Sequence, residues 1–243
     1  ISTQLEEVKK DRFDLTELSK YQQSIIDSFQ GQISSIGSTV GTLTKLSQTD
    51  RELLKKYSKV YFLNENYVPS KLTQVEEVYI FKQNGGNLLI HTDVWSFLKR
   101  LLEDVRSGDI KLLIASAFRS FDTQASLKSE YKVVYGAGTA NQFSADQGYS
   151  EHQLGTSVDF TTPDVGGTFT KFKSAPAYQW LQDNAYKYGF VLSYPERNTY
   201  YIFEPWHWRF VGVSLAEFLH KENKYFYDLD QREIDAYLIK LFD

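Results

Sequence analysis

Ser150-Glu151-His152-Gln153-Leu154-Gly155-Thr156-Ser157-Val158-Asp159 is the stretch on which the fold reading turns. Gly155 permits a tight backbone there, because a residue without Cβ reaches left-handed conformations at little steric cost. Beyond that turn, Ser157–Thr161 reads as a strand. The junction of loop and strand can therefore bring His152 and Asp159 together although seven positions separate them.

Upstream, a loop rich in Gly, Ala and Ser runs from Gly136 to about Gly148, and Phe121–Tyr135 is expected to be helical. Lys111–Ala117 reads as a short buried strand. Asp93–Arg106 carries apolar residues at helical spacing and stops at Ser107-Gly108-Asp109. Val78–Phe81 and Asn87–His91 flank Lys82-Gln83-Asn84-Gly85-Gly86, the pattern of strand, Gly-rich turn and strand. Downstream, a helix around Ala175–Tyr188 ends at Gly189. Tyr200–Phe203 and Trp208–Val211 read as extended, and helices around Ser214–His220 and Gln231–Leu241 close the chain. Helices mixed with hairpin-connected strands indicate an α+β fold, a small mainly antiparallel sheet with flanking helices, rather than a doubly wound parallel sheet.

An N-terminal helical segment of different character, residues 1–60, precedes this unit of residues 61–243. Apolar residues recur at Leu15, Leu18, Ile25 and Phe29, then at Ile33, Ile36, Val40 and Leu43, with Glu, Lys, Gln, Ser and Thr between them. The spacings are three, four or seven, and the step from Phe29 to Ile33 acts as a stutter. One long amphipathic helix or a helical hairpin fits, with Gly31, Gly37 and Gly41 as weak points. Packing on its own domain, self-association as a coiled coil, and a stalk from a membrane stay open.

The bulk composition narrows the chemistry. A net charge of -4 over 243 residues gives no basic face for nucleic acid, which is set aside as a partner. Cysteine is absent, so disulfides and thiolate ligands are excluded and any metal must sit on His and carboxylate. The rings, 17 Tyr, 17 Phe and 4 Trp, suit a lined groove as well as a core. No stretch is long and apolar enough to cross a bilayer. The sequence begins at Ile1 and holds no methionine, so a processed or trimmed form is expected; a signal peptide or membrane tether upstream would lie outside it.

Only four histidines are present, and two of them, His152 and His207, sit in dense polar and aromatic contexts. His207 belongs to the run Phe203-Glu204-Pro205-Trp206-His207-Trp208. A catalytic zinc takes three protein ligands from nitrogen and oxygen donors and keeps a fourth position for water. His152, Asp159 and His207 supply such a set for one zinc ion per chain. Glu204, three residues before His207, can reach the open face without ligating and act as general base on the zinc-bound water. Each piece alone is equally a hydrogen-bonded His–Asp pair or a turn with ring packing; the two together, in a chain this poor in histidine, favour the metal. His91, at a strand end, and His220, on a surface helix, lack such context and read as ordinary.

These motifs resemble the VanY-like D-alanyl-D-alanine carboxypeptidase family of zinc peptidases, which also includes L,D-carboxypeptidases of peptidoglycan. The markers run in order over roughly residues 60 to 220. They are Ser116-Ala117-Phe118-Arg119-Ser120 with Gln124, Gly148 to Gly155 with Asp159, and Trp180-Leu181 to Tyr188-Gly189-Phe190. Tyr194-Pro195 and Glu204-Pro205-Trp206-His207-Trp208-Arg209 complete them. One marker departs: Phe118 stands where the family usually has Tyr, which costs a hydroxyl but keeps the arginine. The resemblance implies metal ligation by His152, Asp159 and His207, catalysis by Glu204, and recognition of the substrate's C-terminal end by Arg119. Gln124 and Ser150 become helpers for that carboxylate or for the scissile carbonyl. A guanidinium suits a terminal carboxylate because it can pair with both oxygens.

The expected reaction is removal of the C-terminal D-amino acid, D-alanine, from peptidoglycan stem peptides, in the cell envelope, by an exported or membrane-anchored protein. Two rival readings are a lysin-like endopeptidase with the same zinc site and a wall-binding module with a structural metal.

Overall fold

The computed structural model describes residues 2–48, 66–82, 86–127, 148–199 and 201–243. The chain divides into two units, Ile1–Thr49 and Asp50–Asp243. The boundary near residue 60 expected from sequence lies outside the described residues, as do residues 128–147 of the expected helix and loop.

The first unit is one helix, α1 (Ser2–Gln48), and no hairpin forms. Gly31, Gly37 and Gly41 are accommodated without a break, each in open space. Along it, ion pairs one turn apart join Lys9 to Glu6 at 3.1 Å and Lys20 to Glu17 at 2.8 Å. Leu15, Leu18, Phe29, Ile33, Ile36, Val40 and Leu43 are all exposed. Among the described residues no helix is long and apolar enough to cross a membrane.

The second unit holds two antiparallel sheets. β1 (Leu72–Gln74) pairs with β2 (Leu89–His91), Leu72 opposite His91. The first strand expected at Val78–Phe81 does not form, β2 pairing with this earlier segment, and residues 83–85 of the expected Gly-rich turn lie outside the described residues. Residues 77–79 form a 3-10 turn, and Ile80 bridges Ile114 instead. Buried Tyr79, edge-on to Trp95 and under the Arg106 guanidinium, anchors that turn and diverts the segment from strand pairing.

α2 (Thr92–Ser107) follows directly. Its buried positions Val94, Phe97, Leu98, Leu101, Leu102 and Val105 step by three or four or by adjacent pairs, one face of a helix. The His91 ring caps its start by accepting from the Asp93 amide, and Gly108 closes its end. His91 is buried and stacks on Phe242, while His220 is exposed, its ring stacked on Tyr186.

The main sheet has strand order β3 (Leu113–Ser116), β4 (Ser157–Thr161), β6 (His207–Phe210), β5 (Phe190–Leu192), and every pairing is antiparallel. Side chains alternate across it. Val158, Phe160, Trp208, Phe210, Phe190 and Leu192 share one face, where Phe210 meets Phe97 of α2 at 4.9 Å between ring centres. Each such ring, essentially fully buried, stabilises the fold by about 1.5–3 kcal/mol. The opposite face carries Ser157, Asp159, Thr161, His207 and Arg209, polar yet buried.

α3 (Pro176–Asn184) continues as a 3-10 turn to Tyr188 and stops at Gly189, at φ 79°. A Cβ there would meet the Phe210 ring at 2.6 Å, so only glycine lets helix and sheet approach this closely. Strand β5 begins at the next residue; the extended segment expected at residues 200–203 is irregular over 201–203. Asn198 accepts the Tyr201 amide in a turn, and the Glu204 amide returns to the Tyr194 carbonyl. α4 (Val213–Glu222) and the short α5 (Gln231–Asp235) complete the unit, and the expected last helix shortens because residues 238–240 tighten into a 3-10 turn.

Candidate metal centre

Register creates the site. Asp159 on β4 lies directly opposite His207 on β6, so both side chains leave the sheet on its polar face as neighbours. His152 arrives from the 3-10 turn Glu151–Leu154, which ends at Gly155 in the left-handed region, φ 69°. There a Cβ would stand 3.2 Å from Pro69 and 3.3 Å from Leu72. The turn folds back onto the end of β3: the Arg119 amide donates to the His152 carbonyl, and His152 Nδ1 lies 2.7 Å from the Ala117 carbonyl.

A carbonyl only accepts, so His152 Nδ1 carries the proton and Nε2 presents its lone pair, 3.2 Å from Asp159 Oδ2. His207 Nδ1 lies 3.0 Å from Asp159 Oδ1. The donor atoms of His152, Asp159 and His207 all fall within 4.8 Å of one another, and all three residues are buried. Two imidazoles and a carboxylate suit zinc, whose tetrahedral ligands at about 2.0–2.1 Å stand roughly 3.3 Å apart. His152 and His207 each stand at about that spacing from one of the two Asp159 oxygens, and the residues present fit the metal.

Electrostatics tie the three together. Burial alone would raise Asp159, but His152 and His207 hold its carboxyl well below the usual range. Burial lowers His152, helped by the Arg119 charge. Burial would also lower His207, yet hydrogen bonds to Asp159 and Glu151 outweigh it and push the imidazole up to about 10. Glu204 is 8% exposed and stands outside the ligand set. Burial, reinforced by the Asp159 and Glu151 charges, pushes its carboxyl up to about 8 against His207 and Arg119.

Arg119 lies at the edge of the group, Nη2 3.8 Å from Asp159 Oδ2. Its fork is braced: Nη1 donates to Gln124 Oε1 at 2.6 Å and Nη2 to Ser116 Oγ at 2.9 Å. Gln124 therefore meets the arginine itself. Ser150 is buried at the head of the His152 turn, and its hydroxyl does not cap that turn. Of the seven residues singled out from sequence, His152, Asp159 and His207 meet directly, Arg119 with Gln124 stands at their edge, the Glu204 carboxyl feels the charges of His207 and Asp159, and Ser150 lies in the segment just before His152.

Sequence reasoning missed the residues behind the ligands. Glu151, 1% exposed, meets His207 Nε2 and Ser193 Oγ at 2.8 Å through one oxygen. Its other oxygen accepts from Arg209 Nη1 at 2.9 Å and the Tyr227 hydroxyl at 2.6 Å. Tyr194 stacks on His207 at 4.9 Å. A partial signal existed: Arg209 shares the parity of His207 on its strand, and an arginine on a buried face requires a carboxylate.

The chain is similar to YodJ of Bacillus subtilis (strain 168), named as a carboxypeptidase, with 32% identity over 70% of this chain and 64% of that protein. To an Enterococcus faecium D-alanyl-D-alanine carboxypeptidase it is 29% identical, over 85% of this chain and 66% of the relative. It thus spans slightly under two thirds of the length of these relatives. Among solved structures, that of the LdcB LD-carboxypeptidase superposes with a TM-score of 0.60 at 30% identity, covering 69% of this chain and 80% of that one. The family described as VanY, D-alanyl-D-alanine carboxypeptidase, matches residues 87–213, just over half of the sequence and all of the main sheet, and to that family the chain belongs.

Proposed function

We propose that the chain is a zinc-dependent carboxypeptidase removing the C-terminal D-alanine from peptidoglycan stem peptides. The observation that carries this reading is the convergence of His152 with Asp159 and His207 of the β4–β6 pair, with the Arg119 guanidinium at their edge and the Glu204 carboxyl within reach of their charges. The substrate class is supported by relatives named for D-alanyl-D-alanine and LD-carboxypeptidase activity.

Zinc held by those three residues would supply the Lewis acid that polarises the scissile carbonyl and brings water's pKa toward neutrality. Glu204 takes the water's proton on a carboxylate oxygen and delivers it to the nitrogen of the departing D-amino acid. Burial favours the neutral carboxyl of Glu204, which suits a group that must hold the water's proton before returning it. Arg119 pairs with the substrate's free carboxylate: each terminal nitrogen spends one N–H on Gln124 or Ser116 and still carries a second. That pairing makes the reaction terminal. Gln124 acts by holding the fork, and Ser150 assists the carboxylate or the scissile carbonyl.

Peptidoglycan lies outside the cytoplasmic membrane, so the protein works in the cell envelope, exported or membrane-anchored. The test is incubation with defined muropeptides ending in D-Ala-D-Ala or in L-Lys-D-Ala, with and without a chelator, read by mass spectrometry. Release of single D-alanine that the chelator abolishes is expected. Cleaved cross-bridges with intact C-termini would replace this reading with the endopeptidase.

For α1, we infer self-association with a second copy through the exposed seam from Leu15 to Leu43. Its three- and four-residue spacing is the one that seats knobs into holes of an identical partner. Light scattering of the full chain, beside a form lacking about the first sixty residues, is expected to show a dimer only for the former.

A further inference from the structure

Glu151 is used by neither the ligand set nor the proposed chemistry, yet both of its carboxylate oxygens are fully engaged. One carboxylate, 1% exposed, receives four donors from three separate places in the chain: His207 and Arg209 on β6, Ser193 after β5, and Tyr227. Ser157 on β4 adds a longer contact at 3.5 Å. Tyr227 belongs to a 3-10 turn past α4, beyond the segment matched by the family.

We propose that Glu151 is the positioning residue of the metal centre: it fixes the His207 tautomer that ligates through Nδ1 and ties that imidazole, through Tyr227, to the C-terminal segment. The inference rests on the metal-centre reading above. A carboxylate accepts only, so His207 Nε2 must donate to it, which leaves Nδ1, 3.0 Å from Asp159 Oδ1, as the nitrogen that can give up its proton and ligate. An anion behind a ligating imidazole also strengthens its donation to the metal. Arg209 holds Glu151 ionised in this buried place, and the Phe226 ring covers the Arg209 guanidinium at 4.6 Å.

Glu151→Gln is the informative change, because an amide cannot accept on both sides. If its oxygen serves Arg209 and Tyr227, its NH2 confronts His207 Nε2, and the imidazole must move its proton to Nδ1. The test measures zinc affinity by chelator competition and, by long-range 15N NMR of the metal-free protein carried above the imidazole's titration, which His207 nitrogen keeps its proton in the neutral tautomer. The wild-type protein, Glu151→Gln, Glu151→Asp and Tyr227→Phe are compared, each checked for fold by circular dichroism.

Expected are a loss of about 10- to 100-fold in zinc affinity for Glu151→Gln, with Nδ1–H tautomer appearing, and partial recovery in Glu151→Asp. Tyr227→Phe keeps the ring and is expected to lose about two- to tenfold, the range one hydrogen bond spans. Zinc affinity within twofold of wild type in folded Glu151→Gln, or an unchanged tautomer, overturns the proposal. Should Glu151→Gln fail to fold, Tyr227→Phe decides alone: unchanged affinity there overturns it. A wild-type protein that binds no zinc, or binds it equally well after His152→Ala, refutes the metal-centre reading instead.

Discussion

Replacing Arg119 by lysine separates recognition of a terminal carboxylate from maintenance of the fold. The guanidinium is largely buried, its side chain 17% exposed, so solvent screening is limited. Arg119→Lys keeps the positive charge near Asp159 but removes the planar fork that Gln124 and Ser116 brace. An ammonium then offers the substrate carboxylate one directed hydrogen bond where the fork offers two. A hydrogen bond to a charged group contributes about 1.5–3 kcal/mol, so kcat/KM should fall about 10- to 150-fold. The assay compares each enzyme on a stem peptide with a free C-terminal carboxylate and on the same peptide as its C-terminal amide. Wild type should prefer the acid strongly, and Arg119→Lys should lose that preference while turning over the amide nearly as wild type does. Equal losses on both substrates would mean that Arg119 shapes the site without receiving the carboxylate, and the exopeptidase argument would fall.

Three further outcomes follow from the geometry. Glu204→Gln should still bind one zinc per chain while kcat drops by about 10²- to 10⁴-fold; near-wild-type turnover would remove Glu204 as the base. Zinc loading at pH 7 should release protons, because His207, pushed up to about 10, must give up its Nδ1 proton to ligate. The sign is definite: below about 10 the imidazole holds the competing proton, so apparent affinity rises with pH, and calorimetry in buffers of different ionisation enthalpy would contradict this by showing no buffer dependence. Gly155→Ala, forced to φ 69° against Pro69 and Leu72, should destabilise by about 1–2 kcal/mol. For a unit of this size that lowers Tm by roughly 2–8 °C, and an unchanged melting curve would show that the turn relaxes freely.

Much of this was legible in the residues themselves. With no cysteine and four histidines, any metal had few places to go, and two dense motifs selected His152 and His207. Local periodicity located the strand Ser157–Thr161 and the helix now seen at Thr92–Ser107 within a residue or two. Glycine marked two element boundaries, Gly155 and Gly189, because each needs a positive φ and a missing Cβ. These features depend on residues close in sequence, whose conformational preferences act before any tertiary contact forms.

Other features had no local cause. Val78–Phe81 has the residues of a strand, yet burial of Tyr79 against Trp95 and Arg106 turned it aside and gave the pairing to Leu72–Gln74. Glu151 reads as one more surface carboxylate until Arg209, Tyr227 and His207 close on it from as many as 76 positions away. Above all, the sequence by itself named the three donors of the candidate centre and left their meeting undecided. A slip of one residue between β4 and β6 would turn His207 to the apolar face, and only the packing of Trp208 and Phe210 into the core holds the register that sets it opposite Asp159.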